Sequence, residues 1–287
     1  MKIKKILKTI FGTKPKPIIT LTTIPTRLFS DYGYHMKYCL ESLLNQKYDD
    51  YEVHLNVPFI YKKTNEEYII PDWLKEMELG HNKLKIFRTD DYGSITKIIP
   101  TILRINDPKT LIIVVDDDLV YKDELINEHI KNSNKYPNNP VGYDGMRSRN
   151  EDGTFSSFYR NTRDYYYSAN HRDCRVDIIQ HYKSVLYKRE FFGDDFIDFV
   201  KEYENWSDDL VVAAYFASKK IDRFVTFYEK DKNCEDYEEW GNNVGISFPI
   251  VRHTEHRSDE GCNVERAKSI AGNENELYKI IDVGYVK

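Results

Sequence analysis

The stretch Leu111-Ile-Ile-Val-Val-Asp-Asp-Asp-Leu119 constrains this chain more than any other. Five apolar residues, four of them β-branched, run straight into three carboxylates. A continuous apolar run without alternation predicts a strand covered on both faces, as in a parallel sheet with helices on either side. Ligands of open α/β sheets bind beyond the carboxyl ends of such strands. Asp116, Asp117 and Asp118 stand at that end. Without a cation nearby, three adjacent carboxylates repel one another and are pushed toward protonation. Carboxylate oxygens suit hard divalent ions, so the run points to a Mn²⁺ or Mg²⁺ site holding a phosphate-bearing ligand. The plainer alternative is a solvated acidic turn ahead of a helix that starts near Lys122. Delivery of the acids by a buried strand favours the metal.

A chain of 287 residues suits one large domain or two closely joined halves and can bury a sizeable core. Its net charge of −5, with no basic patch interleaved with aromatics, excludes general nucleic-acid affinity. The 23 tyrosines suit sugar- or base-binding clefts, although AT-biased genomes are equally rich in them. Cys39, Cys174, Cys234 and Cys262 form no CxxC pair, which argues against zinc, and nothing suggests an oxidising compartment. Met1 to Pro17 is basic, with Ile3, Ile6, Leu7 and Ile10 at helical spacing. That run is too short for a membrane span and too interrupted for a signal peptide. It reads as a frayed or docked terminal helix, or as a weak contact with an anionic membrane surface. The expectation is a cytoplasmic protein without a transmembrane segment.

In chain order, strands are expected at Ile18 to Thr22, Glu52 to Val57 and Leu84 to Phe87, with a helix from Tyr34 to Gln46. Thr89-Asp-Asp-Tyr-Gly-Ser-Ile-Thr-Lys97 reads as a strand end, a glycine loop and a helix start capped by Ser94. A helix start attracts anions, and Lys97 adds a point charge there. After the central strand a helix is expected from Lys122 to Asn132, then strands at Val141 to Met146 and Ile178 to Tyr187. Between these strands, residues 147–175 read as an irregular, aromatic binding surface around Tyr165-Tyr-Tyr167. Helices are expected over Glu190 to Tyr203 and from Asp208 to Lys219, and a strand over Asp222 to Tyr228. The rest reads as loop, with His253 and His256, followed by a helical end from Glu265 to Ile281. The expected divisions are a leader (1–16), a nucleotide-binding half (17–135), an acceptor half (136–260) and a helical tail (261–287).

An acidic triplet at a strand end, followed in the second half by Trp206-Ser-Asp-Asp209 opening a helix, resembles GT-A-fold glycosyltransferases of the family-2-like kind. Asp116-Asp-Asp118 looks like their DXD motif, and Asp208-Asp209 like the acidic pair that carries the catalytic base. Thr23-Ile-Pro-Thr-Arg27, Asp91-Tyr-Gly-Ser-Ile-Thr-Lys97 and Ser184-Val-Leu-Tyr187 are similar to recurring stretches of such sequences. The resemblance covers about residues 17 to 256. It implies an α/β fold of GT-A type, a Rossmann-like mixed sheet flanked by helices, in a single domain. The implied reaction moves a sugar from a nucleotide-diphosphate donor, UDP-sugars favoured, to a hydroxyl of a carbohydrate or glycoconjugate acceptor, with inversion. The resemblance sets Thr23, Arg27, Asp91, Lys97, Asp116 and Asp117 against the donor. It sets Asp116 and Asp118, with His253 or alternatively His256, on Mn²⁺ or Mg²⁺. Asp209 would be the base and Asp208 would position the acceptor.

Two rival readings come from other classes. Asp116-Asp-Asp-Leu-Val120 also fits the DxDx[TV] pattern of haloacid-dehalogenase-like phosphatases, with Asp116 as nucleophile and Asp118 beside it. That motif normally follows the first strand, and here at least three strand–helix units precede it. The other rival is a non-catalytic metal- or carbohydrate-binding module in which Asp208 and Asp209 merely open a helix.

Overall fold

The computed structural model describes residues 15–29, 32–146, 173–203, 207–226, 247–249 and 280–281. The leader up to residue 14, Tyr165 to Tyr167, His253, His256 and most of the tail lie outside the described residues.

The first half alternates strand and helix. It comprises β1 (Ile18–Thr22), α1 (Pro25–Phe29), α2 (Tyr32–Leu44), β2 (Glu52–Pro58), β3 (Ile60–Tyr61), β4 (Glu66–Glu67), α3 (Asp72–Gly80) and β5 (Leu84–Thr89). A 3-10 turn (Gly93–Lys97), α4 (Ile99–Arg104) and β6 (Leu111–Val114) complete it. β7 (Leu119–Tyr121) and α5 (Leu125–Lys135) follow the aspartates. Next come β8 (Val141–Gly142), β9 (Gly145–Met146), β10 (Cys174–Val176), β11 (Ile178–Ile179), a 3-10 turn (His181–Lys183) and β12 (Val185–Lys188). A further 3-10 turn (Arg189–Phe191), α6 (Phe196–Glu202), α7 (Asp208–Ser218), β13 (Arg223–Val225) and β14 (Ser247–Pro249) finish the described chain.

Eight strands form one sheet in the order β10-β13-β8-β12-β6-β1-β2-β5. β5, β2, β1 and β6 are mutually parallel, β12 runs antiparallel between β6 and β8, and β13 lies parallel to β8. The expected α/β class, a mixed sheet flanked by helices, is the one observed. Both faces are covered. Ile113 of β6 joins a core with Ile19, Leu21, Leu40 and Leu55, while Ile112 and Val114 join another with Val185, Leu210 and Phe216. That two-sided burial is why the strand carries no polar alternation. α7 is buried all round, including Val211, Val212, Tyr215 and Phe216, well beyond the one apolar face of Leu210, Ala213, Ala214 and Ala217. A helix apolar on every side belongs in an interior. Among the described residues no helix is long and apolar enough to cross a membrane.

Several local expectations are corrected. Arg27 lies on α1. The triplet leads into β7, and the helix after it begins at Leu125 rather than Lys122. Ile178 to Tyr187 is not one strand: the turn at His181–Lys183 breaks it, and Ser184 adopts φ +91°. Val141 to Met146 likewise splits in two. Ser94 does not cap its own turn, which has Tyr92 before it and no side-chain cap. Its Oγ instead accepts the Asp208 N–H at 3.3 Å, serving the N-terminus of α7, where Ser207 makes no side-chain cap.

Candidate active site

β1 and β6 are adjacent and parallel, with Ile18 opposite Ile112, so their carboxyl ends open at one edge. β12 is antiparallel to β6, with Val185 opposite Val114. The residues just before β12 therefore lie beside those just after β6. This register brings His181, Lys183 and Ser184 to the edge that carries Asp116, Asp117 and Asp118. Parallel strands deliver their carboxyl ends to a binding edge, and an antiparallel neighbour delivers its amino end.

Lys97 reaches the edge because a polar seam pins its turn to the sheet. Thr20 Oγ1 donates to the Lys97 carbonyl at 2.6 Å and lies 2.7 Å from Thr101 Oγ1. Asn56 Nδ2 donates to Thr20 Oγ1 at 3.0 Å, and Arg104 donates to Asn56 Oδ1 at 2.7 Å. Gly93, at φ +69°, turns the chain into this helical segment in the left-handed region that glycine tolerates.

A chain of alternating charge crosses the site. Lys97 Nζ is 2.5 Å from Asp116 Oδ1 and 3.0 Å from Asp208 Oδ2. His181 Nδ1 is 2.8 Å from Asp208 Oδ2 and 2.5 Å from Asp209 Oδ1. The His181 main-chain N–H also donates to Asp209 Oδ1 at 3.0 Å, and Nε2 lies 2.8 Å from the buried Tyr187 hydroxyl. On the other flank Arg27 pairs with Asp117 Oδ1 and, at 3.1 Å, with Asp118 Oδ2. The structure thus brings Arg27, Lys97, Asp116, Asp117, Asp118, Asp208 and Asp209 together. The protein's own cations stand beside the three acids. A solvated acidic turn does not describe the triplet, since Asp117 is buried.

The electrostatics follow from burial and these pairings. Burial opposes the charge of Lys97, but Asp116, Asp208 and Asp209 outweigh it and hold the ammonium well above the ordinary lysine range. Burial likewise opposes the His181 imidazolium, yet Asp209 and Asp208 lift it to about 9. Asp208 is held below the usual carboxylate range, because Lys97 and His181 overcome its burial. Burial pushes Asp116 up to about 6; Lys97 pulls it down while Asp118 and Asp208 push it further up. Asp117 is raised by burial against the pull of Arg27.

Five carboxylates therefore face three cations, an excess of two negative charges that equals the charge of one divalent ion. Hard oxygen donors and that excess fit Mg²⁺ or Mn²⁺. His181, Asp208 and Asp209 also offer ligand atoms within 4.8 Å of one another. There Lys97 and the imidazolium already supply positive charge.

Thr23 is buried next to Asp117, and its carbonyl accepts the Tyr68 hydroxyl at 2.9 Å. Asp91 is not brought to the triplet. Its carboxylate accepts the Lys62 N–H at 2.9 Å, the Gly93 N–H at 2.8 Å and the Thr96 hydroxyl at 3.4 Å, which ties the loop together. It lines a cavity of about 420 Å³ with Phe59, Lys62, Tyr92 and Val200. β14 pairs antiparallel with β7, setting Pro249 opposite Leu119; His253 and His256 follow outside the described residues.

Sequence reasoning missed His181 and, beside it, Lys183, whose Nζ is 2.9 Å from the buried Asp144. It also missed Tyr121, whose hydroxyl accepts the Asp116 N–H at 2.9 Å and lies 3.1 Å from the Tyr182 carbonyl. The one signal for His181 is a polar stretch, Gln180-His-Tyr-Lys-Ser184, interrupting an apolar run.

No family model matches the chain, and no curated protein matches it. Among solved structures, S. aureus TarS 1–349 is similar over 74% of this chain and 58% of its own, at 14% identity and TM-score 0.44. This chain thus spans under two thirds of its length. The same protein in complex with UDP is similar over 93% and 69%, at 12% identity and TM-score 0.48. The 4-diphosphocytidyl-2C-methyl-D-erythritolsynthase from Anaerococcus prevotii is similar over 75% and 86%, at 11% identity and TM-score 0.46.

Proposed function

We propose that this protein is a metal-dependent glycosyltransferase of GT-A type that moves a sugar from a nucleotide-diphosphate donor, UDP-sugars favoured, to a hydroxyl acceptor with inversion. One observation carries the reading: the ion-paired chain Asp116–Lys97–Asp208–His181–Asp209 joins the strand-end acids to the acidic start of a buried helix. Such a transferase needs an anion-holding centre and a proton acceptor a short distance apart, in one water-poor edge.

Asp116 and Asp118 would hold Mn²⁺ or Mg²⁺. The four residues from Pro249 to His253 span at most about 14 Å, so His253 has the reach to join them, with His256 as the alternative. When bound, the ion supplies charge neutralisation at the leaving diphosphate. Lys97 and Arg27, already at the triplet, would lend their charge to the diphosphate, while Thr23 and Asp117 would line the donor side. Asp91 serves that side by fixing the loop that carries Lys97. Asp209 takes the proton of the acceptor hydroxyl, and Asp208, locked by two cations, keeps that base in place. Residues 17–135 would form the donor half and 136–260 the acceptor half.

The test is calorimetric titration of UDP with and without Mn²⁺, followed by incubation with a panel of nucleotide sugars and measurement of released UDP. Mn²⁺-dependent UDP binding and slow donor hydrolysis are expected. Phosphate release that is blocked by vanadate, with no preference for nucleotide diphosphates, overturns the reading in favour of a phosphatase.

A further inference from the structure

Asp208 and Asp209 stand side by side in the first turn of α7, and the pairing pattern separates them. Asp208 gives Oδ2 to both Lys97 and His181 and is buried. Asp209 uses only Oδ1, which accepts the main-chain N–H of His181 and lies 2.5 Å from its ring Nδ1 as an ion pair. Among the described residues nothing pairs with its Oδ2, and its side chain keeps 14% exposure. The ring itself is held from behind by Tyr187 at Nε2.

We infer that His181 is the positioning residue of the reaction: it locks Asp209 through Oδ1, so that Oδ2 alone faces the acceptor as proton-taking oxygen. This rests on the transferase reading above and deepens it. In the step so assigned, the acceptor oxygen bonds to the anomeric carbon as its proton passes to Asp209 Oδ2. The bond from that carbon to the diphosphate oxygen breaks, and its electron pair leaves with the nucleotide diphosphate. A base held on one oxygen by a main-chain hydrogen bond and an ion pair loses little orientation on the way to the transition state. The imidazolium also belongs to the site's charge balance, with its second proton given to Tyr187 rather than to substrate.

The experiment compares the parent with His181→Ala, His181→Asn and Tyr187→Phe, reading UDP affinity in Mn²⁺, and kcat and KM for hydrolysis of the best UDP-sugar. Asparagine puts a neutral N–H donor where the ring Nδ1 stood, whereas alanine leaves only the main-chain donor. The expected result is a kcat about 10²-fold lower in His181→Ala, the low end for impaired general-base catalysis. His181→Asn should recover about tenfold of that loss, with KM and UDP affinity within about twofold of the parent throughout. Tyr187→Phe keeps every charge and tests the ring's support even where His181→Ala does not fold; a drop in kcat alone is expected. Parental kcat in folded variants overturns the assignment of His181 and leaves the transferase reading standing, and so does a joint loss of kcat and UDP affinity. A parent that neither binds UDP nor hydrolyses any nucleotide sugar overturns both.

Discussion

Asp116 and Asp208 share a single ammonium: Lys97 Nζ stands 2.5 Å from one carboxylate and 3.0 Å from the other. One acid ends the central strand and the other opens a helix from the far half of the chain. Their common partner is nine-tenths hidden, so the two halves of the sheet edge are coupled through one buried charge.

Lys97→Met keeps the stem and removes that charge. Breaking a buried pair from one side leaves the partner carboxylates uncompensated, which typically costs about 3–5 kcal/mol. Urea unfolding should show a loss of this size. An unchanged midpoint contradicts a buried charge bridge at this position.

His181 carries its proton up to about 9 in the folded chain, against an ordinary 6.5. Between those values the folded state binds more protons than the unfolded one, so stability falls as pH rises. The contribution is complete below pH 6.5 and gone above pH 9. Unfolding free energies of the parent and His181→Asn, measured at pH 6.5 and pH 9, should converge at the higher pH. A gap between them that is constant with pH rules out the imidazolium.

Asp118→Asn removes one proposed ion ligand and half of the Arg27 clamp, while Asp117 still holds Arg27. Mn²⁺-dependent UDP binding should disappear, and the melting temperature should stay within a few degrees, because a partly exposed pair is worth about 1 kcal/mol or less. UDP binding as tight as the parent's in saturating Mn²⁺ removes the metal role from Asp118.

Asp208→Asn and Asp209→Asn should behave differently. Asp208 serves two buried cations, so its loss should show first as instability. Asp209→Asn still has an oxygen for His181 and lacks the proton acceptor, so transfer should fall about 10²–10⁴-fold at near-parental stability. Single-turnover transfer to a known acceptor reads this directly. If Asp208→Asn alone loses transfer while remaining folded, the base is Asp208.

The first half was legible because its signals are local. The run from Leu111 to Val115 announces a doubly covered strand through composition alone, and β1 was located residue for residue. Gly93 marked a turn for a reason of backbone geometry. The second half was less legible. Pieces such as Val141–Gly142 and Ile178–Ile179 are too short to carry a period, and they are strands because neighbours pair with them. Ser94 looked like a local cap and turned out to serve α7, a partner that only folding brings near.

The sequence by itself determined that an α/β sheet would carry three acids at a strand's end, since β-branched runs, glycine turns and carboxylate repulsion are properties of neighbouring residues. The tertiary structure alone decided which charges meet. His181 reaches Asp208 and Asp209 because β12 runs antiparallel beside β6 and turns its amino end to the edge where β6 has its carboxyl end. Register between distant strands is set by burial of whole faces, and no spacing along the chain encodes it.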